Sequence, residues 1–106
     1  MPRRSTIGRV EWEQLLISAV LLDVHTTPEQ KANVLTALDQ FKPTEVAGQA
    51  VTDMVRVDGV KVLLADGSWT LIRASGTEPL FRIYAEAETF AQVEQIQQDI
   101  RQKLSI

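Results

Sequence analysis

The chain has 106 residues, a formal net charge of −3 and no cysteine. That length fills one domain with one core, and 44% hydrophobic with 24% charged residues excludes disordered, collagen-like and coiled-coil classes. The acidic balance argues against a nucleic-acid or anionic-membrane module held by bulk charge, and the missing cysteines exclude disulfides, zinc ribbons and thiol catalysis.

Residues 1–10 are polar and basic, broken by Pro2 and Gly8, and read as a loose arm. Trp12, Leu15, Leu16, Ala19 and Val20 then follow one helical stripe, while Ala19–Val24 is also compatible with a strand. The reading adopted is a short helix near 10–17 and a strand near 18–25. Residues 1–17 are then an N-terminal arm or extra helix, and 18–106 the domain proper. The longest apolar run, Leu15–Leu22 broken by Ser18, is too short to span a bilayer, which takes about 20 residues. Glu11 and Glu13 separate it from Arg3 and Arg4 and no small-residue cleavage site follows, unlike a signal peptide. A soluble, cytoplasmic protein is expected, with neither a membrane nor a nucleic-acid partner.

Thr27, Pro28 and Gln30 open the next element as an N-cap, a first-turn proline and a capping-box partner. Val34, Leu35, Leu38 and Phe41 give it an apolar face, so a helix is predicted over 28–41, stopping before Pro43. From Val51 the period becomes two. Strands are predicted at Val51–Val57, Val60–Ala65, Trp69–Ala74 and Leu80–Ala87. Asp58-Gly59 reads as a type I′ hairpin turn, which needs positive φ at both positions. Asp66-Gly67-Ser68 makes the next turn and Ser75–Pro79 a small-residue loop. A last helix starts after Thr89, with Gln92 three residues on, and lines up Phe90, Val93, Ile96, Ile100 and Leu104. The order β-α-β-β-β-β-α, with tight turns between strands, predicts an α+β two-layer domain: a four-stranded antiparallel meander with helices packed on one face.

One segment carries chemistry, residues 73–82. Ser75, Gly76 and Thr77 form a turn of little bulk. Gly76 permits positive φ, so that amide hydrogens can converge on an anion, and Ser75 and Thr77 add hydroxyl donors. Arg73 and Arg82 flank the loop on the two strands of one hairpin. Arginine grips phosphate through two parallel N–H bonds, which lysine cannot do. Short donors between two forked cations suit a phosphate dianion, provided the register brings both arginines to one side. Glu78 and Glu86 offset the two arginines in charge, so binding rests on local donor geometry rather than on a long-range field.

The stretch Arg73-Ala74-Ser75-Gly76-Thr77-Glu78-Pro79, followed by Leu80-Phe81-Arg82, resembles the phosphate-binding loop of the α-D-phosphohexomutases, the phosphoglucomutase/phosphomannomutase family. Asp58-Gly59-Val60-Lys61-Val62 and Asp66-Gly67-Ser68-Trp69 are similar to two further motifs of that family's C-terminal domain, in the same order. The resemblance covers about residues 23–106. It departs at Ala74, where proline is common, which loses rigidity but no donor. It implies the fourth domain of a hexose phosphomutase, an intramolecular phosphotransferase interconverting hexose 1-phosphate and 6-phosphate. It further implies that Arg73 and Arg82 clamp the phosphate that is not transferred, that Ser75 and Thr77 donate hydroxyls and that Gly76 donates an amide. The implied partners are a hexose phosphate and the other three domains. The family's phosphoserine, magnesium loop and sugar-recognition loop lie on those domains. No catalytic residue and no cofactor is therefore expected here, and magnesium only in the full-length enzyme. This chain alone is expected to be inactive.

The alternative is a non-catalytic α+β interaction or regulatory module that pairs through a sheet edge. A self-sufficient enzyme lacks a nucleophile–base pair and a metal cluster. His25, the only histidine, reads as structural. Asp53, Asp58 and Asp66 read as turn and surface residues rather than metal ligands. Tyr84 is a candidate for facing the arginines, Trp69 for the core or its rim, and Gln92–Gln102 for a polar helix surface.

Overall fold

The computed structural model describes residues 19–106, so the arm and helix expected over 1–17 lie outside the described residues. Its elements are β1 (Val20–His25), α1 (Pro28–Asp39), β2 (Glu45–Val46), β3 (Gln49–Val55), β4 (Val60–Leu64), β5 (Trp69–Ala74), β6 (Leu80–Glu86) and α2 (Phe90–Leu104). All six strands join one sheet in the order β1-β6-β5-β4-β3-β2, and every pairing is antiparallel. The α+β class is as expected. The sheet is wider than the four-stranded meander, because β1 pairs on one side of it and β2 on the other.

Alternation along the strands sorts the sheet into two faces. Val24, Val60, Val62, Leu64, Ile72, Phe81, Ile83 and Ala85 point to one face, where they form a core with Val34 and Leu38 of α1, Phe41, and Val93, Ile96, Ile100 and Leu104 of α2. The opposite face carries Asp23 of β1, Lys61 of β4, Trp69, Leu71 and Arg73 of β5, and Arg82 and Tyr84 of β6. There the Lys61 ammonium sits 4.7 Å from the Trp69 ring centre, a cation–π contact. Two expected core residues are instead open to solvent: Leu35 is 45% and Phe90 63% exposed. The inward stripes of α1 and α2 are therefore narrower than their apolar patterns.

Both helices begin with the reciprocal caps that the sequence predicts. The Thr27 side chain accepts from the Gln30 N–H while the Gln30 side chain accepts from the Thr27 N–H, and Thr89 and Gln92 repeat the exchange. The C-terminal end of α1 also draws on a distant residue. Arg56 donates to the carbonyl of Leu38, which accepts from the Phe41 N–H as well, and to the carbonyl of Phe41 just beyond the helix. That role explains why β3 ends at Val55 rather than Val57. Arg56 leaves the sheet to reach α1, and the β3–β4 ladder closes at Val55–Lys61. The positive φ values expected for Asp58 and Gly59 are present, at 58° and 115°.

The β2–β3 hairpin was not expected. Its turn, Ala47-Gly48, has φ of 52° and 81°. A left-handed alanine is strained. The Ala47 N–H is held by Asp99 Oδ2 of α2 at 2.8 Å, and that carboxylate also meets Lys103 Nζ at 2.9 Å. Gln97 also departs from the polar surface predicted for α2. It is buried, and its amide donates to the carbonyls of Val20 and Ile83 at 3.1 Å each, tying α2 to β1 and β6.

Candidate functional site

The β5–β6 register settles where the two arginines stand. Arg73 pairs directly with Arg82 across the ladder, one step before the connecting loop. Directly opposed residues project from the same face, here the one turned away from the helices. Arg73, Ala74, Ser75, Gly76, Arg82 and Tyr84 line an open cavity of about 340 Å³. Four of the five predicted site residues thus share one concave surface. Tyr84, the candidate for facing the arginines, joins them from two residues along β6. Its register opposite Leu71 puts it on the arginine face, which strand alternation alone could reveal.

Two like charges in direct opposition repel unless each is partly neutralised. Arg73 Nη2 lies 3.3 Å from Asp58 Oδ2, and Arg82 Nη1 lies 3.8 Å from Asp23 Oδ1. All four side chains are at least 37% exposed, so each pair contributes no more than about 1 kcal/mol. Such partners orient a guanidinium without holding it against a stronger anion. They are not Glu78 and Glu86. Glu86 is buried towards the far end of β6, opposite Trp69, whose indole N–H donates to it at 2.6 Å. The carboxylates beside the arginines come from β1 and from the β3–β4 turn, which sequence order does not place there.

The loop is built differently from a glycine nest. Gly76 does not adopt positive φ. The Ser75 hydroxyl oxygen instead accepts from the N–H groups of Thr77 and Glu78 at 3.3 and 3.2 Å. It keeps its own proton to donate. Thr77 is exposed beside the cavity and does not line it. The Gly76 N–H has no acceptor among the described residues. A Cβ added at Gly76 would meet nothing within 4 Å. Neither backbone conformation nor packing within the domain therefore requires glycine at 76.

Among the described residues, no three His, Asp or Glu side chains come together that could hold a metal ion. His25 ends β1, exposed and paired with Leu80. Asp66 closes its own turn by accepting from the Ser68 N–H at 2.9 Å. No helix among the described residues is long and apolar enough to cross a membrane.

Comparison with known proteins places the chain in a family. A family model described as the C-terminal domain of phosphoglucomutase/phosphomannomutase matches residues 25–103. The chain is 36% identical over 83 residues to a phosphopentomutase of Thermococcus kodakarensis, covering 69% of this chain and 18% of the relative. It is 39% identical over 79 residues to a probable phosphoglucosamine mutase of Methanopyrus kandleri, covering 69% and 17%. It is 31% identical over 88 residues to a phosphomannomutase/phosphoglucomutase of Pseudomonas putida, covering 83% and 18%. The chain spans less than a fifth of the length of these relatives. With the model matched from the end of β1 to the last turn of α2, this chain belongs to the phosphoglucomutase/phosphomannomutase family as its C-terminal domain.

Proposed function

We propose that residues 73–82 grip the phosphate at the non-reacting end of a sugar phosphate, as one domain of a mutase that moves phosphate between the C1 and C6 hydroxyls of a hexose. The observation that carries this reading is the pairing of Arg73 with Arg82 at a cavity also lined by Ser75 and Gly76. Two guanidinium forks, a hydroxyl proton and an uncommitted amide match the oxygens of a phosphate dianion. The relatives add support. They are named for pentose, glucosamine, and mannose or glucose phosphates. Their common feature is the phosphate, not the sugar. In this reading residues 18–106 form the domain, and the reacting phosphoserine and metal belong to other domains of a longer enzyme. Holding the remote phosphate fixes the sugar, and such positioning can lower a barrier by up to roughly 7–11 kcal/mol in the best cases.

An amide NMR titration of the chain with glucose 1-phosphate tests the grip, with glucose and sodium chloride as controls. Shifts confined to Gly76, Thr77 and their neighbours, absent in both controls, are the expected result. Arg73→Ala should weaken the binding about tenfold to a hundredfold, the cost of a lost charge-assisted contact of about 1.5–3 kcal/mol. Equal affinity in Arg73→Ala and the parent would overturn the assignment of Arg73.

A further inference from the structure

The loop that helps to line the cavity is held by a residue outside every motif described above. Lys31 lies in the first turn of α1, and its ammonium donates to Ser75 O at 2.7 Å and to Glu78 O at 2.9 Å. Thr26, just before the helix, adds two bonds to the next carbonyl: its N–H and its hydroxyl both donate to Pro79 O, at 2.7 and 3.1 Å. Three of the loop's carbonyls are thus tied to the β1–α1 segment, more than 40 residues away in sequence. Helix energetics do not account for this lysine. A cation in the first turn opposes the macrodipole, which favours anions there, and Lys31 makes no ion pair among the described residues. Its two acceptors are both neutral carbonyls of the loop.

We infer that Lys31 is a positioning residue for the phosphate loop, an inference that rests on the grip reading for its use. By bridging the carbonyls of Ser75 and Glu78 it fixes both ends of the Ser75–Glu78 turn. The Ser75 hydroxyl and the Gly76 amide then stay beside Arg73 and Arg82 before any ligand arrives. It also brings a third positive charge to the loop between two arginines that are each offset by an aspartate. Preorganised donors of this kind avoid the cost of ordering the loop on binding.

The test compares the 106-residue chain with its Lys31→Met and Lys31→Arg variants. In the absence of ligand, the backbone order parameters of Gly76, Thr77 and Glu78 should fall in Lys31→Met from the rigid range near ~0.85 to below ~0.6. Those of α1 and the melting temperature should stay unchanged. Glucose 1-phosphate should then bind roughly tenfold more weakly to Lys31→Met, with most of the loss recovered in Lys31→Arg, which keeps charge and donors. Unchanged loop order in Lys31→Met overturns the inference. So does an affinity loss that Lys31→Arg fails to recover. A parent chain that ignores the phosphate overturns the grip reading instead, and the order parameters still decide whether Lys31 sets the loop.

Discussion

Two glycines in the family motifs stand under opposite constraints. Gly59 is required by the fold: its φ is +115°, and an added Cβ would stand 2.6 Å from the Ile72 carbonyl oxygen and 3.0 Å from Arg73 Cβ. This close approach lays the β3–β4 turn against β5 and brings Asp58 to Arg73. Gly76 has no such constraint. Gly59→Ala should therefore cost about 1–3 kcal/mol of stability through clash and strain. Gly76→Ala should be neutral or stabilising by up to about 1 kcal/mol, yet weaken phosphate binding by crowding the anion. Denaturant titration of both variants, alongside the phosphate titration, checks the contrast. A destabilised Gly76→Ala with intact binding would reverse the two assignments.

At the scale of elements, Asp99 joins α2 to the β2–β3 turn. Burial raises its pKa, but the Ala47 N–H, the hydrogen bond from Lys103 and the Lys103 charge together outweigh burial and leave it below the ordinary value. A carboxyl depressed in the folded state adds stability that is fully present above its unfolded pKa and is lost as pH falls through the folded one. Asp99→Asn should thus lower stability at neutral pH by about 1–2 kcal/mol, and the difference from the parent should shrink as the pH drops below about 4. A pH-independent difference in urea midpoints would count against the ionised carboxylate as the link. This contact also shows where sequence reading stops. The helix caps, the β3–β6 meander and the β5–β6 loop rest on neighbours in sequence, and Thr27, Asp58-Gly59 and residues 73–82 announce them. The β2–β3 hairpin turns on Ala-Gly, which lacks the usual Asn or Asp, and is steadied by a residue 52 positions away. The arginine partners Asp58 and Asp23, the Lys31 anchor and the burial of Gln97 are likewise products of tertiary packing that no local pattern encodes.

For the molecule as a whole, the arginines sit on the best-protected strands. β5 and β6 are interior to the sheet, and Ile72, Phe81 and Ile83 are completely buried beneath them. A remote grip is useful only if it is rigid, because a sugar held by a yielding clamp keeps the freedom that positioning must remove. Local opening should therefore be confined to the edges, with two-residue β2 the weakest. In native-state hydrogen exchange, the amides of Ile72 and Ile83 should exchange only through global unfolding, and those of β2 far faster by local opening. Phe81→Ala should remove about 3–5 kcal/mol, a large share of the 5–15 kcal/mol typical of a domain. It should speed exchange at Ile72 and Ile83 roughly a hundredfold or more while changing β2 little. If Phe81→Ala speeds β2 and the inner strands equally, β2 opens only with the whole domain. If Ile72 and Ile83 do not respond, the two strands that carry Arg73 and Arg82 open independently of the core, and the proposed clamp lacks the stiffness that its proposed role requires.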